Sequence, residues 1–273
     1  MRIVVKVGSS TLTHTNGHLR IRTAETLCRA LCDLKNSGNE VVLVSSGAIS
    51  MGVGKLGLSA RPHDMPGKQA AAAVGQCELM YAYDKLFTEY AQCVAQILLT
   101  GEDLQHADRC ENFRNTVTRL LSLSVLPIIN ENDTVSTDEI AVGDNDSLAA
   151  IVAANLSADL LVLLSDIDGL YTADPHKDAG ARFVPVVEEI TPEIRQMAGG
   201  AGSAMGTGGM QTKLRAAEIA TAAGCDMILM PSDLQAAFDA VKAAVADGTL
   251  SQARIDESVL RILTVKAEYG IIS

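Results

Sequence analysis

The sequence predicts an α/β fold: a three-layer αβα sandwich built around a mostly parallel central sheet. Three observations carry that expectation. Short apolar runs rich in β-branched residues recur along the chain, segments of helical period separate them, and polar or glycine-rich clusters follow the runs directly. In open sheets of this kind ligands bind beyond the carboxyl ends of the strands, so the residues just after each run are the candidate functional positions.

Arg2–Val7 is a continuous β-branched run, as expected for a strand covered on both faces; residues 23–37 have helical spacing, and Glu40–Ser45 is a second buried strand. These three make one βαβ unit. Further strands are expected over residues 93–99, 125–130, Leu160–Ser165 and 226–230, with helices over 68–89, 111–123, 147–155 and 211–223. Asp174-Pro175 and the stretch from Pro62 through Pro66 read as turns.

The 273 residues, 48% apolar with 22 glycines, are enough to bury a substantial core. A net charge of −11 repels nucleic acid and anionic membrane, so neither is expected as a partner, and an anionic substrate must be captured by local positive charge. Cys28, Cys32, Cys77, Cys93, Cys110 and Cys225 lack C-x-x-C spacing, which fits reduced thiols in a cytoplasm. The first residues run straight into a strand without a charged leader, and no apolar run reaches membrane-spanning length; a cytoplasmic protein is expected.

Two segments have the build of a phosphate cradle. One is Lys6-Val7-Gly8-Ser9-Ser10 after the first strand; the other is Gly206-Thr207-Gly208-Gly209-Met210-Gln211-Thr212-Lys213 before a helix. Glycine lets backbone N–H groups approach an anion, the helix start adds positive potential, and a lysine beside each adds a point charge. The other strand ends carry Ser45-Ser46-Gly47-Ala48, Asn130-Glu131-Asn132-Asp133 and Ser165-Asp166, and Val142-Gly143-Asp144-Asn145-Asp146-Ser147 opens a helix with Asp or Ser as its cap. Taken alone, Asn130 to Asp133 is a polar turn; its place at a strand end gives it functional meaning.

Other patterns lose to plainer readings. Gly52-Val53-Gly54-Lys55-Leu56-Gly57 satisfies G-x-G-x-x-G but does not join a strand to a helix, and no Walker loop occurs. His14, His18, His63, His106 and His176 lack paired metal spacing, so no metal site is expected from them. Cys28 and Cys32 share a helix face as small buried apolar groups.

The blocks VVKVGSSTL, VLVSSGAISMG, KQAAAAVGQ, LPIINENDTVS, VGDNDSLAA, LLSDIDGLYTADP and GTGGMQTKLRAAEIATAAG together resemble the amino acid kinase family, in its glutamate 5-kinase branch, over about residues 1–225. The resemblance implies the amino acid kinase-like version of the αβα fold. It also implies phosphorylation of the γ-carboxylate of L-glutamate by ATP with Mg2+, the first step of proline biosynthesis, with proline as a candidate feedback inhibitor and a homo-oligomer as the assembly. Carried over by position, Lys6 matches an ATP-contacting lysine, and Ser46, Asp133 and Asn145 match glutamate-binding positions. Ser165 and Asp166 match the nucleotide-contacting pair, with serine where threonine is usual; Thr207, Gly208, Gly209, Met210, Gln211, Thr212 and Lys213 match the ATP loop, and Asp146 the carboxylate that organises the two lysines. Gly8 joins the ATP set as part of the first cradle. Catalysis then rests on Lys6, Lys213 and Asp146. The segment 67–76 is similar to a family stretch associated with glutamate and proline recognition, although by itself it is an alanine-rich helix start.

From about Gly224 the text instead resembles the closing strand and helices of family 3 glycoside hydrolases. The hydrolase's nucleophile-bearing segment does not accompany it, so glycosidase activity is not implied. The expected organisation is a kinase domain over 1–225 and a strand plus helical tail over 226–273 packed on the same domain, without a separate RNA-binding-like domain. Two alternatives stay open: another amino acid kinase relative acting on aspartate, carbamate or a nucleotide, and a hybrid whose exchanged tail has impaired catalysis.

Overall fold

The computed structural model describes residues 1–135, 144–167, 169–175, 177, 178, 180–198 and 209–231. In chain order the elements are β1 Arg2–Val7, α1 Ser9–Leu12, α2 Ile21–Asn36, β2 Glu40–Ser45, α3 Ala48–Lys55, α4 Met65–Thr88, β3 Val94–Leu99, α5 Gly101–Gln105, α6 Ala107–Ser122, β4 Leu126–Glu131, α7 Asn145–Asn155, β5 Leu160–Ser165, β6 Leu170–Tyr171, β7 Phe183–Val184, α8 Pro192–Met197, α9 Met210–Ala222 and β8 Asp226–Pro231.

Six strands form one parallel sheet in the order β3-β4-β2-β1-β5-β8. β1 lies at the middle because its Val4, Val5 and Val7 are buried, as is its neighbour β2 from Val41 to Val44. A strand whose side chains all leave water must be covered on both faces. The chain moves outward from β1 to β2 and β3, returns through β4, then crosses to the other side of β1 as β5. That reversal opens a crevice beyond the carboxyl ends of β2, β1 and β5, where Lys6 stands in register between Val44 and Leu163.

One core cluster unites the sheet with α6, α7 and α9: Val4, Val42, Ile129 and Leu161 meet Phe113, Val117, Leu148, Val152 and Ala216. The α7 face carries Ala149, Ala150 and Ala153, and α9 answers with Ala216 and Ala220, all buried. Small side chains on both helices bring the two backbones close, which sets where their first turns meet. β6 and β7 form a separate antiparallel pair, held by an edge-on contact between Tyr171 and Phe183 at 5.5 Å.

The segment 48–57 differs from the sequence expectation. Residues 48–55 are a helix, and the first glycine of the G-x-G-x-x-G pattern serves packing against α4: a Cβ on Gly52 would lie 1.8 Å from the Ala71 carbonyl oxygen, and one on Gly75 of α4 the same distance from that of Ala48. Two backbones this close leave no room for any side chain. Gly75→Ala is expected to cost about 3 kcal/mol through overpacking, a fall in melting temperature of roughly 6–12 °C measurable by circular dichroism. The turn reading over 62–66 also needs correction at its end. Pro66 lies in the first turn of α4, where a missing N–H costs nothing, and Asp64 caps the helix by accepting from the Gly67 amide at 2.8 Å. The Asp174 turn is as expected, closed by Lys177 N–H to the Asp174 carbonyl.

Cys28 and Cys32 face the core from α2, where burial, with Cys32 beside it, pushes the Cys28 thiol far up and keeps it unreactive. The described residues up to Pro231 belong to one compact unit, Met1–Ser232. The expected helical tail over 234–273 lies outside the described residues.

Candidate active site

Lys6, Asp146 and Lys213 come together at the carboxyl edge of the sheet from three elements far apart in sequence. The Lys6 ammonium lies 2.6 Å from Asp146 Oδ1, and that of Lys213 lies 3.1 Å from Oδ2. Thr212 Oγ1 also donates to Oδ2, at 2.9 Å. Asp146 is 1% exposed, Lys6 8% and Lys213 9%. Burial pushes the Asp146 carboxyl up, but the two ammonium groups and their hydrogen bonds outweigh it and hold the group below its ordinary value. The cluster carries one net positive charge in a protein of net charge −11. It is a local site for an anion.

Local structure explains each placement. Asp144 caps α7, accepting from Ser147 N–H at 2.8 Å and Ser147 Oγ at 3.0 Å, so the turn that presents Asp146 is fixed at its start. Gly8, two residues after Lys6, is in extended backbone, and a Cβ there would sit 3.6 Å from the Lys6 ammonium, in ordinary contact with it. Gly209 precedes α9, and Met210 and Gln211 form its first turn, with Gln211 exposed. Thr207 and Gly208 lie outside the described residues. Ser165 ends β5, its hydroxyl 3.3 Å from Asp166 Oδ1, with Asp166 exposed.

A second constellation adjoins the first through α7. Asn145, next to Asp146, aims its Nδ2 at Ser46 Oγ at 2.6 Å, the Ser45 carbonyl at 3.2 Å and Asn130 Oδ1 at 3.0 Å. Gly47, at φ 114°, makes the turn that leaves Ser46 facing α7. Asn130 Nδ2 in turn donates to Gln76 Oε1 at 2.9 Å. Gln76 lines a narrow, open cleft together with Ala48, Ala72, Leu98, Asp133 and Thr134. Burial first, then the charge of Glu131, pushes the half-buried Asp133 up to about 6, against the opposing pull of Arg61.

Of the residues expected from sequence, the structure joins Lys6, Asp146, Thr212 and Lys213 in one cluster and Ser46 with Asn145 in another. Among the described residues, Asp133 meets the second through the cleft it shares with Gln76, and the Ser165 hydroxyl bonds Asp166 rather than either cluster. Sequence reasoning places Asn130 among the strand ends without a partner, and ties Gln76 to glutamate recognition only through the resemblance of segment 67–76, which by itself reads as a helix start. The signal for Gln76 was available: it is polar within the buried stripe Ala72, Gln76, Leu79, Tyr83 of α4.

Comparison with known proteins gives the family. The amino acid kinase family model matches residues 1–230, and the N-terminal domain model of glycosyl hydrolase family 3 matches residues 201–265. A glutamate 5-kinase of Carboxydothermus hydrogenoformans is 55% identical over 233 residues, covering 85% of this chain and 63% of its own length. One from Clostridium acetobutylicum is 51% identical over 249 residues, covering 91% of this chain and 93% of its own length. Among solved structures, carbamate kinase from Giardia lamblia bound to AMP-PNP superposes with a TM-score of 0.62 at 16% identity, covering 88% of this chain and 95% of that one. The T. acidophilum isopentenyl phosphate kinase product complex gives 0.59 at 15%, covering 85% and 92%. These two establish the fold alone. The chain belongs to the amino acid kinase family and groups there with the glutamate 5-kinases.

Proposed function

We infer that this chain is a glutamate 5-kinase, transferring the γ-phosphoryl group of ATP to the γ-carboxylate of L-glutamate. The product is L-glutamyl 5-phosphate, and the reaction opens proline biosynthesis. The observation that carries the reading is the convergence of two buried ammonium groups on one buried carboxylate, beside an amide network that ends in a small cleft. A carboxylate oxygen attacks Pγ while the bond from Pγ to the bridging oxygen of ADP breaks. No proton moves, because the attacking carboxylate is already ionised. The obstacle is repulsion between two anions and charge on the transferred group.

Lys6 and Lys213 answer that obstacle by meeting the phosphates from β1 and α9, while Asp146 keeps both ammonium tips in place before the nucleotide arrives. Ser46, Asn145 and Asp133 hold the acceptor, and Gly8, Ser165, Asp166 and the residues leading into Lys213 hold the nucleotide. Both oxygens of Asp146 are occupied by cationic or hydroxyl donors. The donor set therefore fits phosphate oxygens, with Mg2+ held through those oxygens and water. Bound with the nucleotide beside Lys6, Asp146 and Lys213, the ion would supply further positive charge against the charge on the transferred group. A cytoplasmic enzyme that forms a homo-oligomer and is restrained by proline accompanies this reading. Among the described residues no helix is long and apolar enough to cross a membrane.

The test is ADP release by the purified chain with ATP and Mg2+. L-glutamate should drive it at least a hundredfold above L-aspartate, carbamate or UMP; a folded protein showing no glutamate-dependent release would favour the impaired hybrid instead. A pH dependence follows from Asp133. Its proton is retained up to about 6, and only the ionised form pairs with the glutamate ammonium. The KM for glutamate should therefore rise about tenfold per pH unit below 6, and Asp133→Asn should raise it and flatten that limb.

A further inference from the structure

We propose that Gln76 is a specificity-determining residue of the acceptor site, its side-chain NH2 donating to the α-carboxylate of the substrate. The proposal rests on the glutamate 5-kinase reading and deepens it by naming which group of the amino acid meets which atom.

The orientation of the Gln76 amide follows from a chain of hydrogen bonds anchored at an unambiguous donor. The backbone N–H of Glu131 donates to the Asn130 side chain at 2.9 Å, so the atom of Asn130 that receives it is the carbonyl oxygen, Oδ1. Asn130 Nδ2 is then the end that faces Gln76, and because Nδ2 can only donate, the Gln76 atom 2.9 Å away must be the acceptor Oε1. The same Oδ1 accepts from Asn145 Nδ2, which also reaches Ser46. Every link in this series has one allowed sense. It leaves the Gln76 NH2, with two N–H donors, as the open end of the network, and none of its hydrogen bonds to another described residue is made by that end.

The open end stands where a ligand is needed. Gln76 is 9% exposed, yet it lines the cleft with Asp133 and the small apolar side chains of Ala48 and Ala72. The NH2 end keeps contact with the water of the cleft, so a carboxylate that meets it takes the place of water rather than of an empty space. The cleft otherwise carries negative charge, from Asp133 and Glu131, which suits an ammonium group and disfavours a bare anion. An α-amino acid brings both: its ammonium on Asp133 and, on the same carbon, a carboxylate within reach of a neutral donor. The side-chain carboxylate then extends past Asn145 toward Lys6 and Lys213. The network ties the two ends together, since Gln76, Asn130 and Asn145 are bonded in series and Asn145 directly precedes Asp146.

Two substitutions and one kinetic split test this. Gln76→Glu keeps Oε as an acceptor for Asn130 and the shape of the side chain, but places an anion where the NH2 stood. It should raise the KM for L-glutamate at least a hundredfold at pH 7.5, with kcat within threefold of wild type. Gln76→Met removes the donor without adding charge but also takes the Oε1 acceptor from Asn130; it should raise KM about tenfold to thirtyfold and lower kcat by less than that, so it serves if the first variant does not fold. A residue that merely supports the helix would instead lower kcat along with kcat/KM, by disturbing Asn145 beside the lysine pair. A KM within threefold of wild type in a folded variant, or a loss carried by kcat, overturns the assignment. Wild-type turnover of glutamate is measured in the same series; if it is absent, the glutamate 5-kinase reading fails, and that failure is distinct from an active wild type with an unaffected Gln76 variant.

Discussion

Lys213→Ala should lower kcat by about 10²–10³-fold, the cost of removing one preorganised donor from developing charge, while the KM for glutamate stays within threefold. The split follows from where the side chain stands. Its ammonium is buried at the start of α9 and shares Asp146 with Lys6, whereas Ser46, Asn145 and Asp133, proposed above to hold the acceptor, lie among the described residues without a bond to it. Truncation also leaves Asp146 provided for, because Lys6 remains on Oδ1 and the Thr212 hydroxyl on Oδ2. The fold is therefore expected to survive, and the loss to be read as chemistry rather than collapse. Lys213→Arg should recover little, since a planar guanidinium cannot occupy the space of a compact ammonium held on a single carboxylate oxygen. Steady-state kinetics on variants of matched melting temperature decide the matter. Nearly intact turnover in Lys213→Ala would remove this lysine from the transfer step.

The parts of the fold that sequence exposed most clearly are those where one residue type has one reason to be present. β1, β2 and β5 have the limits expected of them, because a short apolar run closed by polar residues is best housed in a doubly covered strand. Helix α3 escaped because AISMGVGK has two glycines, which lower intrinsic helix propensity. Its stability comes from the backbone contact that Gly52 permits with α4, and a long-range contact of that kind leaves no mark on local pattern. The start of α4 was read three residues late for a related reason: Pro66 breaks a helix interior but fits a first turn, and which of the two applies depends on the Asp64 cap. At the site, the types of Lys6, Asp146 and Lys213 suggested their partnership, while the parallel topology brought them within 3.1 Å of a shared carboxylate. The route from Ser46 to Gln76 is only half legible in one dimension: Gln76 stands out as polar in a buried stripe, but its partners do not. It requires β2, β4, α4 and α7 to present four polar side chains to one another, and only assembled packing tells a buried amide partner from an alanine-rich helix face.

Asp146→Asn tests that assembly most severely, and stability rather than rate is the first readout. The change preserves shape and removes one charge, leaving the Lys6 and Lys213 ammonium groups to face each other from largely buried positions. Breaking a buried ion cluster on one side costs about 3–5 kcal/mol, a fall in melting temperature of roughly 10 °C for a chain of this size. The sign of the pH dependence is fixed by the direction of the carboxyl's shift. Because its partners hold Asp146 below the ordinary 3.8, its stabilisation is complete above that value and drains away as pH falls through the lower folded-state value. The gap between wild type and variant should hold steady from pH 7 to 5 and close below about pH 4. ATP supplies the counter-charge that the variant lacks, so the nucleotide should recover more melting temperature in Asp146→Asn than in wild type, even as kcat falls about 10³-fold through misplaced lysines. If the two proteins melt within 2 °C of each other without nucleotide, the carboxylate is not what holds the two cations together, and the site must be organised by the phosphates alone.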